Sequence, residues 1–184
     1  MTTRLWFVLA GMVVLVMLVS TSTTGALWHD QAAVDAGSVS SGSLVLLVGG
    51  QEETYAFTAL TASNLVPGQS VRAPLSISNG GSTEMVYGLS AVTAAAAGSA
   101  DEALAASLRL TVTDDAACAG PQNQDPGLPF QTALDASATF SGRDLTPSAF
   151  ETLCFEIGLD ADAPTAAASG STAVTFTFRG EQKP

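Results

Sequence analysis

Histidine occurs once in this 184-residue chain, at His29, and lysine once, at Lys183. The other basic residues are Arg4, Arg72, Arg109, Arg143 and Arg179. Against 17 Asp and Glu they leave a net charge of −11 at pH 7. A chain so poor in cations repels phosphate backbones, which excludes nucleic acid as a partner. A zinc site needs three or four well-placed nitrogen or sulfur ligands, but no H-E-x-x-H occurs and the two cysteines do not fall at zinc spacing. A Ser/His/Asp device would depend on His29, which stands near the expected mature terminus without a scaffold. The glycine pairs Gly49-Gly50 and Gly80-Gly81 lack the P-loop pattern and read as turns. The expectation is therefore no catalytic residue, no metal and no cofactor, hence no enzyme.

What is present begins at the N-terminus. Arg4 precedes an apolar run from Leu5 to Val19, followed by a Ser/Thr-rich stretch from Ser20 to Thr24 and then Gly25-Ala26-Leu27. A charged start, an apolar core and small residues at the end are the layout of a secretory signal helix. The run is shorter than the roughly 20 residues that span a bilayer, so membrane contact is expected only through this segment before its removal. Cleavage is expected between Ala26 and Leu27, because Ala26 is small and Thr24 is tolerable two positions earlier. Residues 1–26 thus form the signal peptide, and 27–43, rich in Gly and Ser toward its end, a flexible mature segment. Residues 44–184 form the folded domain, long enough to bury a core of its own. The protein is expected outside the cell, at the surface or in a matrix.

Along that domain, apolar residues alternate in short runs divided by Gly, Pro, Asn and Ser. Val71, Ala73, Leu75 and Ile77 share one face, and Met85, Tyr87, Leu89 and Ala91 resume the pattern after Asn79-Gly80-Gly81-Ser82. The two runs are expected to form a β-hairpin, with Pro74 marking an edge or a bulge. Leu108–Val112, Leu153–Leu159 and Val174–Phe178 supply further strands with the same alternation. Strands at this spacing without intervening long helices predict an all-β, antiparallel sandwich. Two short helical turns are expected, one capped by Ser99 with Glu102 and one opened by Thr146-Pro147. Leu44, Val45, Leu46, Leu47 and Val48 break the rule, being apolar on both faces. Such a strand is either central and covered on both sides or covered by something outside the domain.

Cys118 heads a Pro-rich loop from Ala119 to Pro129, and Cys154 lies in a strand on the face opposite Leu153 and Phe155. In an oxidising compartment the pair is expected to bond, tying the loop to the outer face of the sheet, with two free thiols as the other possibility. Asp114-Asp115 and Asp160 with Asp162 are candidate Ca²⁺ loops by charge alone. They lack the D-x-D-x-D-G frame and read first as solvated turns.

Several motifs also carry a resemblance. The junction Gly25-Ala26-Leu27-Trp28-His29-Asp30 resembles the end of signal peptides cut by the SipW-type signal peptidase. Residues Val34 to Leu44 are similar to the mature N-terminal segment of the same group. Asn64-Leu65-Val66-Pro67-Gly68-Gln69 resembles its N-L-x-P-G-[DQ] turn, followed at the family's distance by Ser78-Asn79-Gly80-Gly81-Ser82. Thr175-Phe176-Thr177-Phe178 with Glu181-Gln182 resembles its closing strand. The group is the TasA/camelysin-like family of biofilm-matrix fibre and cell-surface proteins. The resemblance implies a jelly-roll sandwich, processing by a SipW-type signal peptidase, and self-association into fibres by donor-strand exchange. Leu44, Val45, Leu46, Leu47 and Val48, apolar on both faces and tethered by the Gly/Ser-rich segment before them, are the expected donor strand. It also raises a camelysin-like metalloendopeptidase, for which the zinc ligands are missing. A monomeric surface binding module is the third possibility.

Overall fold

Alternating apolar residues build eight strands in the structure, a computed structural model that describes Trp6, Met12 and residues 41–120 and 125–184. They are β1 (Leu46–Val48), β2 (Ser70–Asn79), β3 (Met85–Ala95), β4 (Leu108–Thr113), β5 (Thr132–Ala133), β6 (Phe140–Leu145), β7 (Phe150–Leu159) and β8 (Ala173–Gln182). An α-helix, α1, runs over Ser99–Ser107. The chain divides into two units, Met1–Ser40 and Ser41–Pro184. In the first, Trp6 and Met12 are helical and exposed. The rest of the expected signal peptide, its Ala26–Leu27 junction and His29 lie outside the described residues.

Strands β1-β2-β7-β4-β5 form a five-stranded sheet and β6-β3-β8 a three-stranded one. Every neighbouring pair is antiparallel. Leu75 and Ile77 of β2, Leu110 of β4 and Leu153 and Phe155 of β7 bury their side chains against Met85, Tyr87 and Leu89 of β3. The Phe155 ring meets Phe176 and Phe178 of β8 edge-on, with centroids 5.2 and 6.1 Å apart. Each large side chain so buried stabilises the fold by about 1.5–3 kcal/mol. The protein is therefore all-β, two antiparallel sheets enclosing a shared core, as the alternation predicts.

The expected hairpin does not form. β2 and β3 lie in different sheets, and residues 80–84 arch from one to the other. The turn end of β2 has no free ladder to offer β3. Ile77 and Ser78 pair with Val48 and Leu47 on one side and with Glu151 and Phe150 on the other. Asn79, 1% exposed, fixes the arch. Its Nδ2 donates to the Thr83 and Leu145 carbonyls at 2.8 and 3.0 Å, and its Oδ1 accepts from the Gly81 N–H at 2.9 Å. Its backbone N–H donates to the Ala149 carbonyl and its own carbonyl accepts from Ser148. One residue thus joins the 80–84 arch to the neighbouring 146–149 connection.

Two smaller expectations are also corrected. Helix α1 is capped by Gly98 and not by Ser99, with no side-chain cap bond. Asp101 instead accepts the Ala97 and Ser171 N–H groups, which holds its carboxyl below the usual range. Thr146-Pro147 opens a turn, closed by the Ala149 N–H on the Thr146 carbonyl at 3.0 Å, and no helix follows. Pro74 falls where β2 has lost β1 as a neighbour, since the ladder to β1 covers only Ile77–Asn79. The Ser76 carbonyl accepts from Gly49, so even-numbered β2 residues face that side. The N–H that Pro74 lacks therefore falls on an open edge.

Candidate interaction site

The strand within the doubly apolar segment 44–48 is not central. That strand, Leu46–Val48, is an edge strand of the larger sheet, half-buried throughout and paired with β2 of its own chain. Leu44 and Val45 precede the strand, and the Val45 carbonyl accepts from the Gly80 N–H at 2.9 Å. Both faces are apolar because both make contacts. Val45 and Leu47 lie over Gly80 of the arch, while Leu46 reaches the bare backbone of Gly180 beside Met85. Gly49 and Gly50, at φ +57° and +81°, then reverse the chain, with Val48 and Gln51 exchanging backbone hydrogen bonds of 2.9 and 3.1 Å. That double left-handed turn is open to glycine at no steric cost.

Opposite β1 runs β8, an edge strand of the smaller sheet. Between them the sandwich is open along a groove of about 720 Å³, walled by Leu46, Val48 and Tyr55 on one side and by Val174, Phe176 and Phe178 on the other. Those three β8 residues are only half-buried. The other edges carry a device that discourages strand addition. β5 is two residues long. β6 turns Arg143 toward the interior, and the uncovered part of β2 holds Pro74. β8 has ten residues, no proline, no lysine and no inward charge within its bounds.

A second polar constellation bridges the sheets away from this groove. Arg143 stands opposite Tyr87 in the β3–β6 ladder, and Glu151 beside Ile77 in the β2–β7 ladder, so all three point inward. Arg143 Nε donates to Glu151 at 2.9 Å, its Nη1 to Asp125 at 2.9 Å, and the Tyr87 hydroxyl donates to Glu151. Burial raises the Glu151 carboxyl, but the Arg143 and Tyr87 hydrogen bonds outweigh it and hold it below its usual range. Asp125 is held down by the Gly127 N–H and by Arg143. Burial first, then Glu151, push the Tyr87 phenol far up. A depressed carboxylate clamped to a guanidinium is a poor base, and a phenol that resists ionisation is a poor nucleophile. The cluster is suited to holding the sheets and the 114–131 loop together. The alternation pattern does not reveal it, although Arg143 at the inward position of a short strand is a signal.

Cys118 and Cys154 form a disulfide, with Cα atoms 5.3 Å apart. It fastens the loop over the outer face of β4 and β7, where Thr111 and Thr113 become buried despite their outward parity. The cavity beneath, about 10 Å³ between Arg72, Thr111 and Cys154, has room for one water at most. The acidic pairs serve the backbone and an arginine. Asp115 accepts the Ala117 and Ala119 N–H groups, and Asp160 pairs with Arg109 at 2.7 Å. Among the described residues no group of three His, Cys, Asp or Glu is placed to hold a metal. The Val66-Pro67-Gly68-Gln69 turn closes with the Gln69 N–H on the Val66 carbonyl at 2.9 Å and Gly68 at φ +84°, feeding the chain into β2. No protein-family model and no curated protein matches this chain.

Proposed function

We propose that this protein is an exported structural subunit of the cell surface or extracellular matrix, which self-associates by exchange of its N-terminal strand. The observation that carries the reading is β8, a ten-residue edge with no proline and no inward-facing charge, beside an open groove that Leu46, Val48, Val174, Phe176 and Phe178 line together with polar residues. An extended segment adding to such an edge gains main-chain hydrogen bonds along the strand and pockets for alternate side chains. The chain owns a suitable segment. Residues 36–51 carry no charge in a protein of net charge −11, and they include the apolar run 44–48. Head-to-tail addition does not close on itself and produces filaments. The resemblance to TasA/camelysin-like proteins agrees with this, as does the alternation of most successive strands between the two sheets, which suits a jelly-roll. Export through the N-terminal signal segment and removal by a SipW-type peptidase complete the reading, and the disulfide fits an oxidising compartment.

The test uses mature protein beginning at Leu27, the terminus that N-terminal sequencing of secreted material is expected to show. Electron microscopy and sedimentation should find filaments, and Leu46→Asp should leave a folded monomer. Wild-type protein that stays monomeric at high concentration overturns strand exchange in favour of a monomeric surface module. Stoichiometric zinc with chelator-sensitive proteolysis would establish the camelysin-like peptidase instead.

A further inference from the structure

The arch from β2 to β3 opens on the one Asn-Gly pair in the chain, Asn79-Gly80. In an unfolded chain such a pair is chemically unstable, because glycine has no side chain to hinder attack by its backbone nitrogen on the asparagine amide. The fold asks for both residues nonetheless. Asn79 supplies the three side-chain hydrogen bonds that fix the arch. A Cβ on Gly80 would stand 3.0 Å from Leu47 Cδ1 and 3.3 Å from Val45 Cγ1, closer than side chains ordinarily sit.

The closed arch occupies both reacting groups. The Gly80 N–H donates to the Val45 carbonyl at 2.9 Å, which engages the nitrogen that would attack. The Asn79 amide is clamped by the Thr83 and Leu145 carbonyls and the Gly81 N–H. Its backbone N–H and carbonyl are bonded in turn to Ala149 and Ser148. With Asn79 only 1% exposed, solvent is kept from the amide as well.

We propose that Asn79-Gly80 is a self-modification site, inert while the arch is closed and spent irreversibly when the arch opens. The reaction needs no enzyme and no co-reactant except water. The Gly80 nitrogen gives its proton to solvent and bonds to Asn79 Cγ. The Cγ–Nδ2 bond breaks, and Nδ2 takes up a proton and leaves as ammonia. Water then adds to either carbonyl of the cyclic imide. Breaking the bond from the Gly80 nitrogen to Cγ leaves aspartate; breaking its bond to the main-chain carbonyl carbon leaves isoaspartate.

Either product bars the way back. A carboxylate replaces the Nδ2 group that donates to the Thr83 and Leu145 carbonyls, setting a buried charge against two acceptors. Isoaspartate also adds a methylene to the main chain where position 79 pairs with Leu46. The site therefore records each opening of the arch and retires the chain that opened. It needs only one chain and does not depend on the strand-exchange reading.

The test incubates mature protein, disulfide intact, at mildly alkaline pH in native buffer and in guanidinium chloride. Mass spectrometry of the fragment between Arg72 and Arg109 reads position 79. In denaturant that position should convert to aspartate and isoaspartate, while Asn64, followed by the bulky Leu65, stays intact in the same sample. In native buffer the conversion should be slower by on the order of a hundredfold, because it waits on the small population of open arches. Leu47→Ala, which uncovers Gly80 and leaves the Asn79 hydrogen bonds in place, should speed the native reaction and leave the rate in denaturant unchanged. Equal rates in the two conditions, or no conversion in denaturant, overturn the proposal. Converted chains that regain the native melting transition overturn its irreversibility.

Discussion

Arg143 of β6 and Glu151 of β7 belong to opposite sheets and meet inside the sandwich, where Arg143 Nε donates to the Glu151 carboxylate at 2.9 Å. The Tyr87 hydroxyl and the Asp125 carboxylate complete the cluster from β3 and from the 114–131 loop. Their side chains remain about one-fifth exposed, 20% for Arg143 and 23% for Glu151, so the pair is only partly desolvated.

Removing one partner strands the other. Arg143→Met should cost about 2 kcal/mol, the range for hydrogen bonds to charged groups. Glu151→Leu should cost a similar amount. The double variant should lose less than the sum, because neither buried charge is then unpaired. Urea unfolding of the four proteins measures the coupling, and strict additivity would show that the contact carries no energy.

The same cluster sets the response to pH. Glu151 titrates below its ordinary value of 4.5 when folded. Its contribution is thus present above pH 4.5 and disappears as the pH falls through the folded value. Glu151→Gln should flatten the acid limb of the stability curve. Tyr87 has the opposite displacement, above its ordinary 10.0, so stability should fall as the pH rises past 10. Ultraviolet titration should show one of the two tyrosines withheld from ionisation until the fold opens.

Asn79 makes three side-chain hydrogen bonds, two of them to carbonyls on either side of the arch. Asn79→Ala leaves those buried groups without partners, at about 1–3 kcal/mol for each one left unsatisfied. The variant should be among the most destabilised of single substitutions outside the apolar core, as read by thermal melting. A loss below about 0.5 kcal/mol would mean that water replaces the amide.

Cys118 and Cys154 close a loop with a sequence separation of 36, worth about 3–4 kcal/mol in the chain-entropy account. The Cys118→Ser/Cys154→Ser variant should lose about that much unfolding free energy and still fold, because the shared core lies on the other face of β7. Retained circular dichroism with faster proteolysis of the 114–131 loop is the expected outcome. Complete unfolding would place the loop in the core of the stability instead.

The faces of the strands are legible in the chain itself. The alternation at Val71–Ile77, Met85–Leu89 and Leu153–Leu159 assigns them correctly, because side-chain direction along a strand is a local property with a period of two. At Ala91 the assignment fails, because a bulge between Leu89 and Ala91 turns Val92 inward instead. The same parity puts Cys154 on the outer face with the loop. Glycine turns at Gly49-Gly50 and Gly68 follow from φ values that other residues adopt at a cost. Sequence alone thus determined the long alternating strands, most of their facing and several of the turns. Only the tertiary structure decided which strands are neighbours. β2 and β3 are adjacent in sequence and joined by a strong turn signal, yet β1 and β7 occupy both ladders of β2 and force the turn into an arch. β6, with a glycine and two charges in six residues, is a strand because β3 offers it an edge. The doubly apolar 44–48 segment makes sense only once Gly80 and Gly180, far apart in the chain, converge on it. Strand partnership depends on long-range competition for backbone hydrogen bonds, and no local pattern encodes the winner.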